Sequence, residues 1–367
     1  MRAIFCATCV ALTLSGGQQR PSDVYDSAIA KYVAGDSETA FETLGRVSQE
    51  DIRYNLELYL IAVRRNGLSE GVRRRLEAGA MLHTDYALAP GRNEQEVQFH
   101  IQMADRSLDI SRSTLIPHTP YTNEENLRRA REFLPRWYAL AASALLTYYE
   151  DRNATTLLHE GLTFLPEDQT LLFWRGLAME FTAVWVGLRS VGSDAVLPVI
   201  RSKNASGVDL LEITRTWGPV EEAYRQLLQK APNHFEAHLH RGYALYSLQK
   251  YRDATFEYEL ARDQSTDPFV VYVADLLLAR LKEDQNDLKG AAQDYEHALE
   301  KMPGAQNAYI GLGSIEERLG NRQRARELTE RLATMPEKER VRDPWWAFHT
   351  IRVPADVLEW LRAAVRQ

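Results

Sequence analysis

The sequence predicts an all-α solenoid of stacked helical hairpins, and three observations predict it. One spacing rule recurs five times between Pro135 and Met335. A small residue stands at Ala142, Gly176, Gly242, Ala279 and Gly313, and a small or branched one follows at Ala154, Val220, Ala254, Ala291 and Ala325, twelve residues later in four of the five pairs. Four residues on comes Leu158, Tyr224, Tyr258, Tyr295 or Thr329, then Gly161, Leu227, Ala261, Ala298 or Leu332, with Pro166, Pro232, Pro268, Pro303 and Pro336 near the unit ends. Finally, outside residues 187–219 no stretch of six or more residues alternates apolar and polar with strand period. A period of about 34 residues built this way marks a two-helix unit that buries its faces against its neighbours.

Within a unit the paired small residues, such as Gly242 and Ala254, are expected where the two helices cross, because a larger side chain would hold the axes beyond ~8–10 Å. The aromatic or leucine four residues later is one turn on along the same face and is expected to fill the seam towards the next unit. Proline is expected to end the second helix, since it lacks an N–H and restricts the residue before it.

These residues resemble tetratricopeptide repeats. Arg241-Gly242-Tyr243-Ala244-Leu245, Tyr251-Arg252-Asp253-Ala254, Tyr258 and Ala261 look like one repeat. Leu278-Ala279, Asn286-Asp287-Leu288, Ala291, Tyr295, Ala298 and Pro303 look like another, and Leu312-Gly313, Gly320-Asn321 and Ala325 like a third. Two departures stand out. Gly242 and Ala279 are 37 residues apart, so three residues are inserted near Asp267-Pro268, and Gly176 reaches Val220 only after 44, a 32-residue insertion. The resemblance implies a scaffold that binds other proteins through a concave groove.

Taken in order, the chain opens on a secretory signal pattern: Met1-Arg2 is positive, Ala3 to Leu14 is an apolar run of twelve and Ser15-Gly16-Gly17 offers small residues for cleavage. Twelve residues are too short to span a bilayer, so no membrane span is expected in the mature chain. The expected location is secreted or periplasmic, the alternative being a cytoplasmic protein with an apolar start. Both cysteines, Cys6 and Cys9, lie in that run, so a mature chain holds no disulfide and no thiolate site. Ala28 and Ala40 repeat the twelve-residue gap around Gly35-Asp36 and form an N-terminal hairpin. Leu56, Leu60 and Val63, then Val72, Leu76 and Ala80, follow helical spacing until Pro90-Gly91. A helix is predicted from Asn93 to Asp109, a loop over Ser111–Tyr121, and a new helix capped by Thr122 with Glu125. The domains are then 1–17 signal peptide, 18–134 N-terminal helical region, 135–338 solenoid with the insertion 187–219, and 339–367 a C-terminal capping segment. In that last segment Val357, Leu358, Leu361 and Val365 form one apolar stripe, as a solenoid's terminal cap requires. This tail, after such repeats and behind a signal peptide, also resembles uncharacterised secreted bacterial repeat proteins, a resemblance that brings no activity with it.

Net charge is −7 with pI near 5.8, and the arginine pairs are flanked by acids, which argues against nucleic acid as a partner. His234, His238 and His240 cluster, but no carboxylate or cysteine stands at a third-ligand spacing, so no metal is expected. His83, Asp85 and His100 are the candidates for acid–base work on successive helices, with packing histidines and a capping aspartate as the plainer reading. No nucleophile elbow, phosphate loop or dinucleotide fingerprint occurs, and no cofactor is expected. The family resemblance implies a groove lined three before and one after the small-residue slot, by Phe173, Leu177, Leu239, Tyr243, Leu276, Arg280 and Ile310. The lysine and asparagine of the family's carboxylate clamp are missing there, which disfavours acidic tails and favours an extended or helical apolar peptide. The groove is open, or else it is filled from within by the insertion or the C-terminal helix. The function expected is a non-enzymatic protein-interaction scaffold. The alternatives are an enzyme around His83, Asp85 and His100, or a ligand carrier closed by the insertion.

Overall fold

The computed structural model describes residues 21–148, 150–191, 210–348, 353 and 355–366. The leader 1–17 and Val196, Leu197, Val199 and Ile200 of the insertion therefore lie outside the described residues. Within them the chain is all helix, with no strand. The helices are α1 (Pro21–Val33), α2 (Ser37–Leu44), α3 (Gln49–Asn66), α4 (Glu70–Leu88), α5 (Glu94–Ser107), α6 (Asp109–Ser113), α7 (Glu124–Thr147), α8 (Asp151–Phe164) and α9 (Gln169–Val191). They continue with α10 (Leu210–Lys230), α11 (Phe235–Ser247), α12 (Tyr251–Gln264), α13 (Pro268–Asp284), α14 (Leu288–Lys301), α15 (Gln306–Arg318), α16 (Arg322–Ala333), α17 (Pro344–Phe348) and α18 (Ala355–Arg366).

From α7 to α16 every helix packs on the next, giving the pairs α7/α8, α9/α10, α11/α12, α13/α14 and α15/α16 that the spacing rule predicts. First helices also touch across units, α7 on α9 and α11 on α13. Ala142, Ala154, Val220, Ala254, Ala279 and Ala291 are all fully or almost fully buried. In four of the hairpins the turn is set by one left-handed residue five positions before the second slot: Gly35, Gln249, Asn286 and Gly320, with φ of 91°, 60°, 63° and 87°. Glycine and asparagine reach this region with little strain; glutamine does not.

The tyrosines depart from the expected seam. Tyr224 and Tyr258 lie over the glycine of their own unit: a β-carbon on Gly176 would stand 2.5 Å from the Tyr224 ring, and one on Gly242 would overlap Tyr258. Tyr295 alone reaches forward, onto Gly311 of the following helix, while Gly313 has no atom nearer than 3.9 Å. The close approach in the last unit thus moves two residues upstream of the predicted slot.

Proline also has two uses. Pro166, Pro232, Pro303 and Pro336 follow the ends of α8, α10, α14 and α16, whereas Pro268 is the first residue of α13, capped by Asp267, whose Oδ1 accepts from Phe269 N at 2.9 Å. The extra residues near Asp267-Pro268 lengthen that helix, which has 17 residues against 13 in α11. The described ends of the long insertion are helical too: α9 runs on to Val191, and α10 begins ten residues before Val220 and continues through Pro219.

Upstream, Asn93 and Glu96 form the reciprocal cap of α5, at 2.9 and 3.0 Å. Asn123 rather than Thr122 caps α7, accepting from Asn126 N at 2.8 Å, while the Thr122 hydroxyl ties the preceding loop to Thr119 and Ile116. The helix then runs unbroken across position 135, Pro135 included. At the centre of the N-terminal region lies α4, buried from Leu76 to Ala87 and packed by α1, α2, α5, α7 and α18. A stripe on one face describes such a helix poorly, because partners surround it. The apolar stripe of α18 is covered as a cap's would be, with Leu361 and Val365 buried, but the surface it covers belongs to α4 and α7. Arg362 bonds Asp85 at 2.8 Å and Arg129 bonds the Ala364 carbonyl at 2.9 Å.

Candidate functional site

Two clusters carry the residues singled out from the sequence. The first lies under α4. His83 and His100 meet Nδ1 to Nδ1 at 2.7 Å, and His83 Nε2 bonds the Tyr25 hydroxyl at 3.1 Å. Tyr86 lies over His100 with centroids 4.3 Å apart. Burial, then the neighbouring His100, holds the His83 pKa well below its ordinary value, and burial, then Arg92, lowers that of His100 to about 4. Both rings are neutral at pH 7. Asp85 faces elsewhere, accepting from Tyr32 at 2.7 Å and from Arg362. The three residues therefore do not form an acid–base constellation: the histidines pair with each other, and the aspartate anchors the C-terminal helix. All three are buried.

The second cluster lies on the face made by the first helices α9, α11, α13 and α15. Phe173, Leu239, Tyr243 and Leu276 are buried there, Leu177 and Arg280 are half-buried, and Ile310 is 59% exposed. Leu239 and Leu276 are core residues, whereas Phe173, Tyr243 and Arg280 border a surface that other parts of the chain cover. From the insertion side Trp217 sets its edge on Tyr243, centroids 5.5 Å apart. From the tail, Phe348 stacks on His240 at 4.4 Å and stands edge-on to Tyr243 at 6.1 Å, while the Arg280 guanidinium lies 4.8 Å over the Trp345 ring. Asp343 Oδ2 accepts from Tyr272 Oη at 3.0 Å and from Asn307 N, in the first turn of α15, at 2.6 Å. The centre of the groove is thus filled from within, chiefly by residues 343–348. From the sequence these residues belong only to the capping segment 339–367; the signal that could have found them is Asp343-Pro344-Trp345-Trp346, an aromatic run following a charged one.

The histidines of α11 divide into three roles. His234 caps the helix through Nδ1, which accepts from Ala237 N at 3.2 Å, and its ring stacks on Phe173. His238 bridges Glu257 at 2.5 Å and the Pro232 carbonyl at 2.9 Å. His240 Nδ1 meets Glu180 Oε2 at 2.9 Å, the same oxygen that accepts from Tyr224. Burial opposes charge on His240, but Glu180, with Glu236 behind it, outweighs that and raises its pKa. Phe348 therefore packs on a ring that favours a positive charge. Among the described residues no three His, Cys, Asp or Glu side chains converge as metal ligands, and no helix is long and apolar enough to cross a membrane.

No curated protein matches the chain. Among solved structures it is similar to MamA 41-end from Desulfovibrio magneticus RS-1, at 16% identity and TM-score 0.37 over 54% of this chain and 93% of that one. It is similar to the human IFIT1 dimer with PPP-AAAA at 12% identity and TM-score 0.37, over 80% and 71%. Yeast Tom70 gives 14% identity and TM-score 0.33, over 93% and 78%. The family model described as tetratricopeptide repeat matches residues 221–268 and 276–338. Those segments hold the Gly242–Tyr258 and Gly311–Tyr295 contacts and the left-handed turns at Gln249, Asn286 and Gly320, so this part of the solenoid matches the tetratricopeptide repeat.

Proposed function

We propose that the chain is a non-enzymatic scaffold that docks another protein through the concave face of its repeats, and that it works outside the cytoplasm. The observation that carries the docking surface is that the first-helix face already holds a short segment, residues 343–348, through Asp343, Trp345 and Phe348, all buried. A face that engages side chains one at a time with donors, a guanidinium and aromatic rings is suited to peptide recognition. A photo-crosslinking residue at Ile310, on the first helix α15, should capture a stoichiometric protein in the native cells. The same residue at Phe256, 61% exposed on the second helix α12, should not. Equal capture from both positions, or capture only from Phe256, would overturn docking through this face. Export rests on the order of charge, apolar run and small residues in 1–17. N-terminal sequencing of the protein from its own cells should find it cut near Gly17, and an intact Met1 would overturn export.

A further inference from the structure

Residues 343–348 are attached to the solenoid in an unusual way. The run from Pro336 to Arg342 is exposed throughout and highly charged, Glu337-Lys338-Glu339-Arg340 among it. It is held by few backbone bonds, such as Val341 N to Gly304 O at 3.2 Å. After this stretch three acidic or aromatic side chains become buried within six residues, Asp343, Trp345 and Phe348, alongside Pro344, while Trp346 between them is half exposed. Each buried group has its own receptor on a different part of the face. Asp343 takes Tyr272 and the first turn of α15, Trp345 takes Arg280, and Phe348 takes His240. Three successive repeats read one short segment.

We propose that this segment is an internal copy of the recognition motif that the groove takes from its partner. The partner is another protein presenting an acidic residue, proline, an aromatic two positions after the acid and a second aromatic three positions later. This rests on the reading of the first-helix face as a docking surface and specifies its ligand. The groove's chemistry selects that motif: two donors, the Tyr272 hydroxyl and the Asn307 amide, converge on one carboxylate, a guanidinium offers its face to an indole, and the His240 ring, bonded to Glu180, offers a flat face to a phenyl group. A tethered segment needs only weak contacts to stay seated, since its effective concentration is in the millimolar range for a short tether. A partner segment with the same contacts then competes with it, and its apparent affinity is reduced by the fraction of grooves left open.

The test uses the full chain. A fluorescent peptide with the sequence of residues 341–348 is titrated by anisotropy into the wild-type chain and into the Trp345→Ala/Phe348→Ala variant. The variant should bind it about tenfold or more tightly than wild type, as expected when the native segment fills at least nine grooves in ten. Adding Arg280→Glu to the variant should remove that binding, and so should replacing the aspartate of the peptide by alanine. A folded variant that binds no better than wild type, or binding that ignores Arg280→Glu, would overturn the proposal. Should the variant not fold, hydrogen exchange of the wild-type chain decides. Amides of 345–348 exchanging through an opening well short of global unfolding, and faster than those of α13, support a displaceable segment; protection equal to that of α13 overturns it. A protein partner captured at Ile310 as well by the Arg280→Glu chain as by wild type would leave the scaffold standing and remove this motif.

Discussion

The ring of Tyr258 occupies the space that a β-carbon on Gly242 would need. Tyr258 is itself almost fully buried. Gly242→Ala therefore forces two helices apart, at about 1–3 kcal/mol. At Gly313 the nearest atom to such a carbon is the Ala325 carbonyl oxygen, 3.9 Å away. Gly313→Ala should cost nothing and gain up to ~1 kcal/mol of helix propensity. Urea unfolding of the two variants checks the contrast. Equal midpoints would show that the glycine of the third unit is not held for packing.

The period of small residues made the hairpins legible because every unit faces the same two neighbours, so the same sterics recur at each slot. The direction of the tyrosines was not legible: Tyr258 packs back onto Gly242 and Tyr295 forward onto Gly311, though both stand at the same position of the repeat. The groove was legible as a row of positions, but what fills it was not. Phe348 reaches His240 across more than a hundred residues, and no local period encodes a contact of that range. The candidate site at His83 failed for a simpler reason: His83 and Asp85 are two residues apart on one helix, which turns them to different sides.

Arg362 fixes α18 to the N-terminal region through a carboxylate that has left water. Asp85 is buried and accepts from Tyr32 and from Arg362 at 2.7 and 2.8 Å. Arg362→Ala leaves that charge short of a partner and should destabilise the chain by about 1–3 kcal/mol, the usual cost of an unmade buried hydrogen bond. Asp85→Asn in the same chain should return part of the loss, because the neutral amide no longer needs the guanidinium. A double-mutant cycle by thermal unfolding measures the coupling. Additive effects would mean that the two side chains do not depend on each other.

The His83–His100 pair makes stability depend on pH in a known direction. Burial keeps both histidines neutral in the folded chain, His100 down to about 4, whereas the unfolded chain takes up protons near pH 6.5. Protonation thus favours the unfolded state, and their contribution is full above pH ~6.5 and is lost as the pH falls towards 4. For His100 alone the loss is on the order of 3 kcal/mol. Asp275, pushed up to about 6 by burial, acts in the opposite direction, so the comparison must be between wild type and His100→Gln across the same buffers. The wild type should lose more stability than the variant between pH 7 and pH 5. Parallel curves would mean that the ring takes up a proton as readily in the fold as in the unfolded chain.

At Gln249 a repeat pays a conformational cost that the glycine turns at Gly35 and Gly320 avoid. Equivalent positions hold Gly35, Asn286 and Gly320, and all four are left-handed, Gln249 at φ 60°. A residue with a β-carbon is disfavoured there by roughly 1–2 kcal/mol, while glycine is not. Gln249 is exposed, and its backbone N–H bonds the Tyr246 carbonyl at 2.9 Å, a bond any residue makes. Nothing among the described residues therefore calls for the glutamine side chain. Gln249→Gly removes the left-handed strain but also frees the unfolded chain, a loss of ~0.4–1 kcal/mol, so the expected net gain is about 0.5–1 kcal/mol. Asn286→Gly should gain less, since asparagine tolerates this region better. Thermal unfolding of both variants decides the order. A Gln249→Gly chain less stable than wild type would mean that its backbone leaves the left-handed region in solution, and that the four turns do not share one geometry.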